Sequence, residues 1–414
     1  MRCKPCMQGK PLYQVFCFVF CAIVFTFLTG CGAGSITANT QPTTTPTPSI
    51  APTPTPTVSP SPTPTPTPAP ASRLIFGITV FESNSGYQAG LISNGIVAPL
   101  PNDFTDSGLG QNIVTQLIAD PQARFLYGLN LGASSFGITL GHPGIAEMQI
   151  IQQSGQLTRV PSSPLVFPSQ QAGMLAIDNS GHFLYQPNAG VFDIYGINQI
   201  TGLLTKLSSS AAGSVGFFTV ISPDGRFLFN SGNPINGNQV VESLSIASDG
   251  TLAVVQSPIP TGGASAGVAG QLVVSSDNRF LFVLNQGSIA IFNIGGTGML
   301  SPVVGSPFAT DAGGAGFAIS PDGRHLYVAF QPNTNFVRGF TFDPVASTLT
   351  PIAGAFLNND DRTITLDGSG SFAYVTEAGL LVTYSVDPAT GALTRVSQAT
   401  KPTSEGEQSM VVVP

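Results

Sequence analysis

The chain has 414 residues and a formal net charge of −7, and only 8% of its residues are charged. That fraction lies far below the roughly 25% of an ordinary globular protein and excludes a helical bundle or coiled coil, whose surfaces need Lys, Glu and Arg. The 47 Gly and 35 Pro residues favour an all-β fold with many tight turns. Because the excess of acid repels phosphate groups, we expect no nucleic-acid partner.

Residues 1–30 predict a lipoprotein signal peptide. Three basic residues precede a mostly apolar run, which ends in Leu28-Thr29-Gly30-Cys31. A basic start, an apolar run and small residues before a cut site describe an export signal. The final four residues resemble the lipobox of bacterial lipoproteins, which implies that Cys31 is acylated and attaches the protein to a membrane of the cell envelope. In a host with two membranes, Gly32 implies the outer membrane or cell surface; a plain transmembrane anchor is the alternative.

Residues 31–71 predict an extended linker, since Thr-Pro repeats dominate this segment. Proline fixes φ and has no N–H, so neither helix nor sheet can form here. We expect a semi-rigid polyproline II arm that holds the following domain away from the membrane. All five cysteines lie at or before Cys31, which leaves the folded part without a disulfide or a thiolate metal site.

Residues 72–414 contain seven copies of one hairpin unit. In Phe317–Val328 an apolar strand meets Pro321-Asp322-Gly323, and a second apolar strand begins at Arg324. Proline presets φ in such a turn, and glycine accepts its left-handed conformation. We call the residue that follows each turn the anchor; the seven anchors are Arg73, Arg124, His182, Arg226, Arg279, Arg324 and Ser371.

A second hairpin follows each first one, as in Val382–Thr394, so every unit supplies four short antiparallel strands. Four-stranded units of this length predict the blades of a β-propeller, here with seven blades. The segment Met410–Pro414 matches the first strand of a unit, and the unit at Arg73 lacks that strand. We therefore expect the C-terminal strand to pair in the N-terminal blade and close the ring. A tandem of β-sandwiches is the alternative, but it gives the terminal strand no role.

The Ser-Pro-Asp-Gly-Arg turns, Gly-x-Leu-Thr turns and Ser-Pro-Phe segments resemble those of the seven-bladed lactonase propellers, the superfamily that includes 6-phosphogluconolactonase. Enzymes of this group carry a Pro-Arg-His run before a middle-blade turn and Asn-Glu after the next strand, and the middle blades here lack both. The nearest match is in the last blade, where Arg362 stands nine residues before Ser371 and Thr363 replaces the His. Glu377 falls at the family's Asn position. The resemblance implies Arg362 and Glu377 as catalytic candidates.

Opening a lactone needs a base that activates water and a positive group or donors for the developing oxyanion. Of the three histidines, His182 and His325 lie at or beside anchors and are interpreted as structural. His142 lies in the longest predicted loop, residues 128–146, and is the third catalytic candidate. We predict no metal-binding site and no cofactor, and leave open only a structural cation.

Acidic residues outside the predicted turns and strands gather in loops at one face of the propeller. The sequence therefore predicts an acidic channel mouth that binds a small molecule, a cation or a basic protein. Ordinary solvated loops are the alternative. The residues predicted to bind there are Asp311, Arg338, Asp360, Asp361, Glu405 and Glu407.

The function expected first is a non-catalytic, lipid-anchored binding or scaffold domain of the cell envelope. The alternative is a lactone hydrolase with a diverged active site, and a calcium-bound adhesin is a third, weaker hypothesis.

Overall fold

In a computed structural model, the residues described are 73–78, 85–100, 104–110, 112–135, 138–168, 173–188, 190–211, 216–232, 238–264, 270–330, 336–353, 356–357, 363–377, 380–400 and 409–413. Chain contacts divide the protein into Met1–Pro66 and Thr67–Pro414, and all described residues belong to the second unit. The signal peptide predicted for residues 1–30, Cys31 and the linker predicted for residues 31–71 lie outside them.

Within these ranges the chain forms seven antiparallel sheets. Blade 1 consists of β1 (Arg73–Ile78), β2 (Gly86–Ser93), β3 (Ile96–Pro99) and β4 (Thr105–Asp106), with the last strand of the chain, β33 (Met410–Val413). Blade 2 consists of β5 (Asn112–Ala119), β6 (Phe125–Ser135), β7 (Ile138–Gly141), β8 (Gly144–Ile150), β9 (Leu157–Arg159) and β10 (Leu165–Val166).

The next two blades have four strands each. Blade 3 consists of β11 (Ala176–Ile177), β12 (Phe183–Asn188), β13 (Val191–Ile197) and β14 (Leu204–Ala211). Blade 4 consists of β15 (Gly216–Ile221), β16 (Phe227–Gly232), β17 (Asn238–Ile246) and β18 (Leu252–Ala264).

Three blades complete the ring. Blade 5 consists of β19 (Leu272–Val274), β20 (Phe280–Asn285), β21 (Ser288–Ile294), β22 (Leu300–Pro302) and β23 (Phe308–Ala309). Blade 6 consists of β24 (Gly314–Ile319), β25 (His325–Phe330), β26 (Phe336–Asp343), β27 (Thr348–Pro351) and β28 (Phe356–Leu357). Blade 7 consists of β29 (Ile364–Leu366), β30 (Phe372–Glu377), β31 (Leu380–Val386) and β32 (Leu393–Thr400).

The innermost strands of the blades form a continuous ring. Each of β5, β11, β15, β19, β24 and β29 contacts the innermost strand of the next blade, and β29 and β5 both contact β33. In blade 1, β33 runs antiparallel to β1, with Ile75 opposite Val411 and Arg73 opposite Val413. The described domain is therefore an all-β, seven-bladed propeller, as the repeats predict.

Aspartate and serine side chains hold the first-hairpin turns through hydrogen bonds to the turn backbone. Asp120 Oδ1 accepts hydrogen bonds from the backbone N–H groups of Arg124 at 2.5 Å and Phe125 at 2.7 Å. In the Ser-Pro-Asp-Gly variant, the Ser222 hydroxyl oxygen accepts the equivalent bond from Phe227 at 3.0 Å. These bonds satisfy turn N–H groups that the ladder leaves unpaired, which explains why this position holds aspartate in blades 2, 3 and 7 and serine in blades 4, 5 and 6.

Two features differ from the four short strands predicted for every blade. In blades 1, 2, 5 and 6 the outermost strand is split into two pieces. The first piece ends at Pro99, Pro302 or Pro351 in three of these blades, because proline has no N–H for the ladder. In blade 2, β6 continues beyond the blade and pairs with β7. The long loop predicted for residues 128–146 is therefore wrong: most of this segment is strand.

Candidate ligand-binding channel

A cavity of about 260 Å³ lies where the innermost strands of all seven blades meet. Its volume fits a molecule the size of one sugar ring. It is lined by Thr115, Gln116, Leu117, Met174, Phe218, Thr219, Gln271, Leu272, Ala315, Gly316, Phe317, Thr363, Ile364, Ser409 and Met410. Among the described residues, this lining contains hydroxyl, amide and apolar groups but no charged or titratable side chain.

Three lining side chains fasten one blade to the next. Ser409 Oγ accepts a hydrogen bond from the Leu117 N–H at 2.9 Å, which joins blade 1 to blade 2. Gln116 binds both backbone groups of Leu175 in blade 3: its Nε2 donates to the carbonyl oxygen at 2.9 Å, and its Oε1 accepts from the N–H at 2.5 Å. Gln271 Nε2 donates to the Ala315 carbonyl oxygen at 2.5 Å, between blades 5 and 6. These bonds hold the wall of the cavity in a defined shape.

Two catalytic candidates are sequence neighbours of residues at the blade 7 side of the cavity. Thr363 lines the cavity, and its hydroxyl oxygen lies 3.3 Å from that of buried Thr376. Arg362, directly before Thr363, lies outside the described residues. Glu377, directly after Thr376, is the last residue of β30, where its backbone pairs with Leu380.

His142 does not belong to this cavity. It follows β7 in blade 2, where its side chain is exposed and its backbone N–H donates to the Leu109 carbonyl oxygen at 2.9 Å. The lining set by the innermost strands does not include it. Its predicted place in a long loop is wrong, because β6 and β7 pair directly before it.

Two of the residues predicted to bind at the channel mouth form an ion pair. Arg338 Nη1 lies 2.7 Å from Asp311 Oδ2, and each side chain is about one-third exposed, at 31% and 35%. The pair joins the segment after β23 to β26 in blade 6. Because each charge neutralises the other, this pair adds no net charge to that face. The other predicted mouth residues, Asp360, Asp361, Glu405 and Glu407, lie outside the described part of the chain.

A second cavity, of about 350 Å³, lies between the hairpin turns of blades 3 and 4 and includes Asp178 and Asp224 in its lining. Both carboxylates bind their own turns: Asp178 accepts from the Phe183 N–H at 2.6 Å and Asp224 from the Arg226 N–H at 3.2 Å. The cavity is therefore a groove between two structural turns. Across the described ranges, no group of three or more His, Cys, Asp or Glu residues could hold a metal ion.

The polar residues of the channel were missed by the sequence interpretation, although the sequence carries a signal for them. The residue eight positions before an anchor lines the cavity in six blades, namely Gln116, Met174, Phe218, Gln271, Gly316 and Thr363. Ser409 takes the same place in blade 1, directly before β33. Charged residues and motifs do not mark this position, whereas the distance to the anchor identifies it in each blade.

Comparison with known families supports the fold, and part of the chain matches a family model. Residues 219–359 and 302–412 match the family model described as Lactonase, 7-bladed beta-propeller. No curated protein sequence matches the chain.

Several solved structures share this fold at low identity. A candidate 6-phosphogluconolactonase from Bacteroides uniformis superposes with a TM-score of 0.67 at 15% identity, covering 83% of this chain and 100% of its own. A similar candidate from Bacteroides fragilis gives 0.63 at 17%, covering 84% and 100%. The periplasmic gluconolactonase of Pseudomonas aeruginosa gives 0.61 at 17%, covering 83% and 99%. Identities this low show the fold alone.

Proposed function

We propose that this chain, a seven-bladed β-propeller whose residues 219–359 and 302–412 match the lactonase family model, binds a small lactone in the central cavity and hydrolyses it. Water attacks the lactone carbonyl carbon, the ring C–O bond breaks, and the ring oxygen leaves as a hydroxyl group. The product is the open hydroxy acid, which releases its proton at neutral pH.

The observation that carries this proposal is the cavity of about 260 Å³ walled by polar residues of the innermost strands. One part of its wall, Thr363, directly follows Arg362 in the sequence and is hydrogen-bonded to Thr376, which directly precedes Glu377. In the proposed mechanism Glu377 acts as the base that takes the proton of the attacking water and then gives it to the departing ring oxygen. Arg362 stabilises the negative charge that develops on the carbonyl oxygen. His142 has no role in this mechanism, since it is exposed and lies outside the cavity lining.

The test is acid release from a panel of lactones by the purified protein. We expect Glu377→Gln and Arg362→Gln each to lower kcat/KM by about 100-fold or more, the usual loss for a catalytic base or an oxyanion donor. Arg395→Gln, which changes an exposed arginine of β32, is the matched control and leaves the rate unchanged. Hydrolysis that survives both substitutions, or no hydrolysis of any lactone, excludes the proposed mechanism.

A second candidate is the non-catalytic binding or scaffold domain. The observation that favours it is that Thr363, a residue of the cavity wall, stands where the resembled enzymes carry histidine. A binding domain would hold a small molecule in the same cavity without converting it. Saturable binding of a lactone that is recovered intact separates this candidate from the hydrolase.

For the location of the protein, we propose export and lipid attachment through Cys31, with residues 31–71 as an extended arm. The lipobox-like sequence supports this, and one structural relative is named as periplasmic. No helix among the described residues is long and apolar enough to cross a membrane. Labelling of the wild-type chain, but not of Cys31→Ser, by a fatty-acid probe tests the attachment.

We also keep the acidic channel mouth formed by Asp360, Asp361, Glu405 and Glu407 as a proposal. If it binds a cation or a basic partner, Asp360→Asn with Asp361→Asn weakens that binding and reduces its dependence on salt. Unchanged binding and unchanged salt dependence would remove the proposal.

A further inference from the structure

We infer that the central cavity takes an uncharged, polyhydroxylated ring and discriminates against its phosphorylated counterpart. This inference rests on the proposed function, which places a lactone in that cavity. Three observations lead to it: the donors and acceptors that the polar side chains of the wall can still offer to a ligand, the positions of the described Lys and Arg side chains, and the apolar residues of the wall.

Two threonines of the wall offer acceptors to a ligand. The Thr115 hydroxyl donates to the Leu129 carbonyl oxygen at 3.3 Å, and the Thr219 hydroxyl donates to Asn230 Oδ1 at 3.4 Å. A hydroxyl has one hydrogen and two lone pairs, so each oxygen can still accept but has no second hydrogen to donate.

The same accounting at Gln271 and Ser409 adds one acceptor and two donors. Gln271 uses one of its two Nε2 hydrogens on the Ala315 carbonyl oxygen, which leaves Oε1 as an acceptor and the second N–H as a donor. Ser409 Oγ accepts the Leu117 N–H, which leaves its own O–H to donate. Acceptors thus outnumber donors at these four side chains. Ligand hydroxyl groups can donate to them, whereas the oxygens of a phosphate dianion only accept.

The described basic side chains are not among the residues that line the cavity, and five of them pair with aspartates elsewhere. Arg124, Arg226 and Arg279 pair with aspartates of their own hairpin turns, at 2.8, 2.7 and 3.7 Å. Lys206 on β14 pairs with Asp193 at 2.8 Å, and Arg338 pairs with Asp311 at 2.7 Å. The proposed mechanism assigns Arg362 to the lactone carbonyl, and none of the described basic residues lines the cavity. A phosphate placed against this wall would therefore lose its hydration without gaining a cation from it, which is costly.

Apolar side chains complete the wall between the polar groups. Leu117, Phe218, Leu272, Phe317 and Ile364 line the cavity together with the threonines and glutamines. A sugar-type ring has C–H faces as well as hydroxyl edges, so it matches both kinds of surface. A ring without hydroxyl groups would leave the acceptors unpaired.

The experiment measures calorimetric binding of 1,5-anhydro-D-glucitol, its 6-phosphate and δ-valerolactone to the full chain, beside hydrolysis of D-glucono-1,5-lactone and its 6-phosphate. The anhydroglucitol cannot be hydrolysed, so its affinity reports the cavity alone. We expect it to bind about tenfold or more tightly than its phosphate, because the phosphate is desolvated without a partner. We expect 1,5-anhydro-D-glucitol also to bind about tenfold or more tightly than δ-valerolactone, because δ-valerolactone has no hydroxyl donors.

Threonine variants test whether the binding of 1,5-anhydro-D-glucitol depends on the cavity wall. Thr219→Val removes one acceptor and should weaken anhydroglucitol binding about fivefold, whereas Thr219→Ser keeps the hydroxyl and the affinity. Thr158→Val, on exposed β9, is the matched control and leaves binding unchanged. If Thr219→Val does not fold, Thr115→Val makes the same test.

Equal or tighter binding of the phosphate, or no binding of the anhydroglucitol, overturns the inference. Affinity that is unchanged in both threonine-to-valine variants overturns it as well. Selective binding of the anhydroglucitol without hydrolysis of either lactone supports the inference and rejects the hydrolase, so the two failures remain distinct.

Discussion

The hydroxyl of Tyr327 in blade 6 donates a hydrogen bond of 2.8 Å to the carbonyl oxygen of Gly391 in a hairpin turn of blade 7. The tyrosine is fully buried, and this burial raises the pKa of its hydroxyl, so the group remains a donor. Tyr127 makes the same bond to Gly202 at 2.9 Å, and Tyr185 to Gly250 at 3.1 Å. One side chain of each pair thus connects a blade to the turn of the next blade.

Removing the Tyr327 hydroxyl tests the strength of this connection. Tyr327→Phe leaves the buried Gly391 carbonyl without its partner, and we expect the free energy of unfolding to fall by about 1–2 kcal/mol. The matched control is Tyr374→Phe, because the Tyr374 hydroxyl is buried without a hydrogen-bond partner. Its removal should leave stability unchanged or raise it. Equal losses in the two variants, measured by urea denaturation, would contradict this account.

Gly391 itself should tolerate no side chain. Its φ is +70°, and a Cβ would lie 2.6 Å from His325 Nδ1 and 2.7 Å from Ile352 Cδ1. We expect Gly391→Ala to lower the free energy of unfolding by about 2–4 kcal/mol, through left-handed strain and displaced neighbours. Gly368→Ala is the control, since a Cβ there meets nothing within 4 Å. A thermal shift of similar size in both variants would exclude the steric explanation.

Restoring the phenylalanine found in other blades should stabilise the domain. His325 is 2% exposed and its Nε2 has no hydrogen-bond partner, which is costly for a buried polar atom. The equivalent residue is phenylalanine in five other blades: Phe125, Phe183, Phe227, Phe280 and Phe372. We expect His325→Phe to raise the free energy of unfolding by about 1 kcal/mol. His182→Phe, at an exposed anchor, should give no gain; a loss at His325 would refute the prediction.

Glu147 should make stability depend on pH. It is 2% exposed, its Oε2 has no hydrogen-bond partner, and burial raises the pKa of its carboxyl, against a smaller lowering effect of Ser163. In the unfolded chain the pKa of this carboxyl is about 4.3. Because its pKa is higher in the folded state, the free energy of unfolding is greatest while Glu147 is protonated and falls as pH rises above that unfolded pKa. We expect Glu147→Gln to match the wild type near pH 4 and to be more stable by about 1–3 kcal/mol at higher pH.

Asp387 provides a comparison of opposite sign. Hydrogen bonds from the Thr390 backbone N–H and hydroxyl, and from the Ala389 N–H, lower the pKa of its carboxyl. The stability that it contributes is present above the unfolded pKa and is lost as pH falls through the folded value. Asp387→Asn should therefore destabilise the domain at neutral pH and lose this effect in acid. Parallel pH profiles for the two variants would contradict both assignments.

The fold was largely predictable from short-range chemistry. The turn at Pro321-Asp322-Gly323 and its relatives depend on residues within five positions of one another, so their repetition predicts the hairpins and their number. The split outer strands were missed, although each proline that ends one is visible in the sequence. The β6–β7 hairpin was missed because Ala133–Ser135 and Ile138–Gly141 lack the alternation that predicts a strand.

The site was predicted less well, for a physical reason. By itself the sequence determined the all-β class, the repeated hairpins and the resemblance that leads to Arg362 and Glu377. Only the tertiary structure decided that Gln116, Gln271 and Ser409 surround one cavity and that Arg338 is paired with Asp311. The Leu117 N–H and the Ser409 hydroxyl are 292 residues apart in the chain, yet they form a hydrogen bond of 2.9 Å. Such contacts depend on how seven blades pack around an axis, and no local pattern of residues specifies that arrangement.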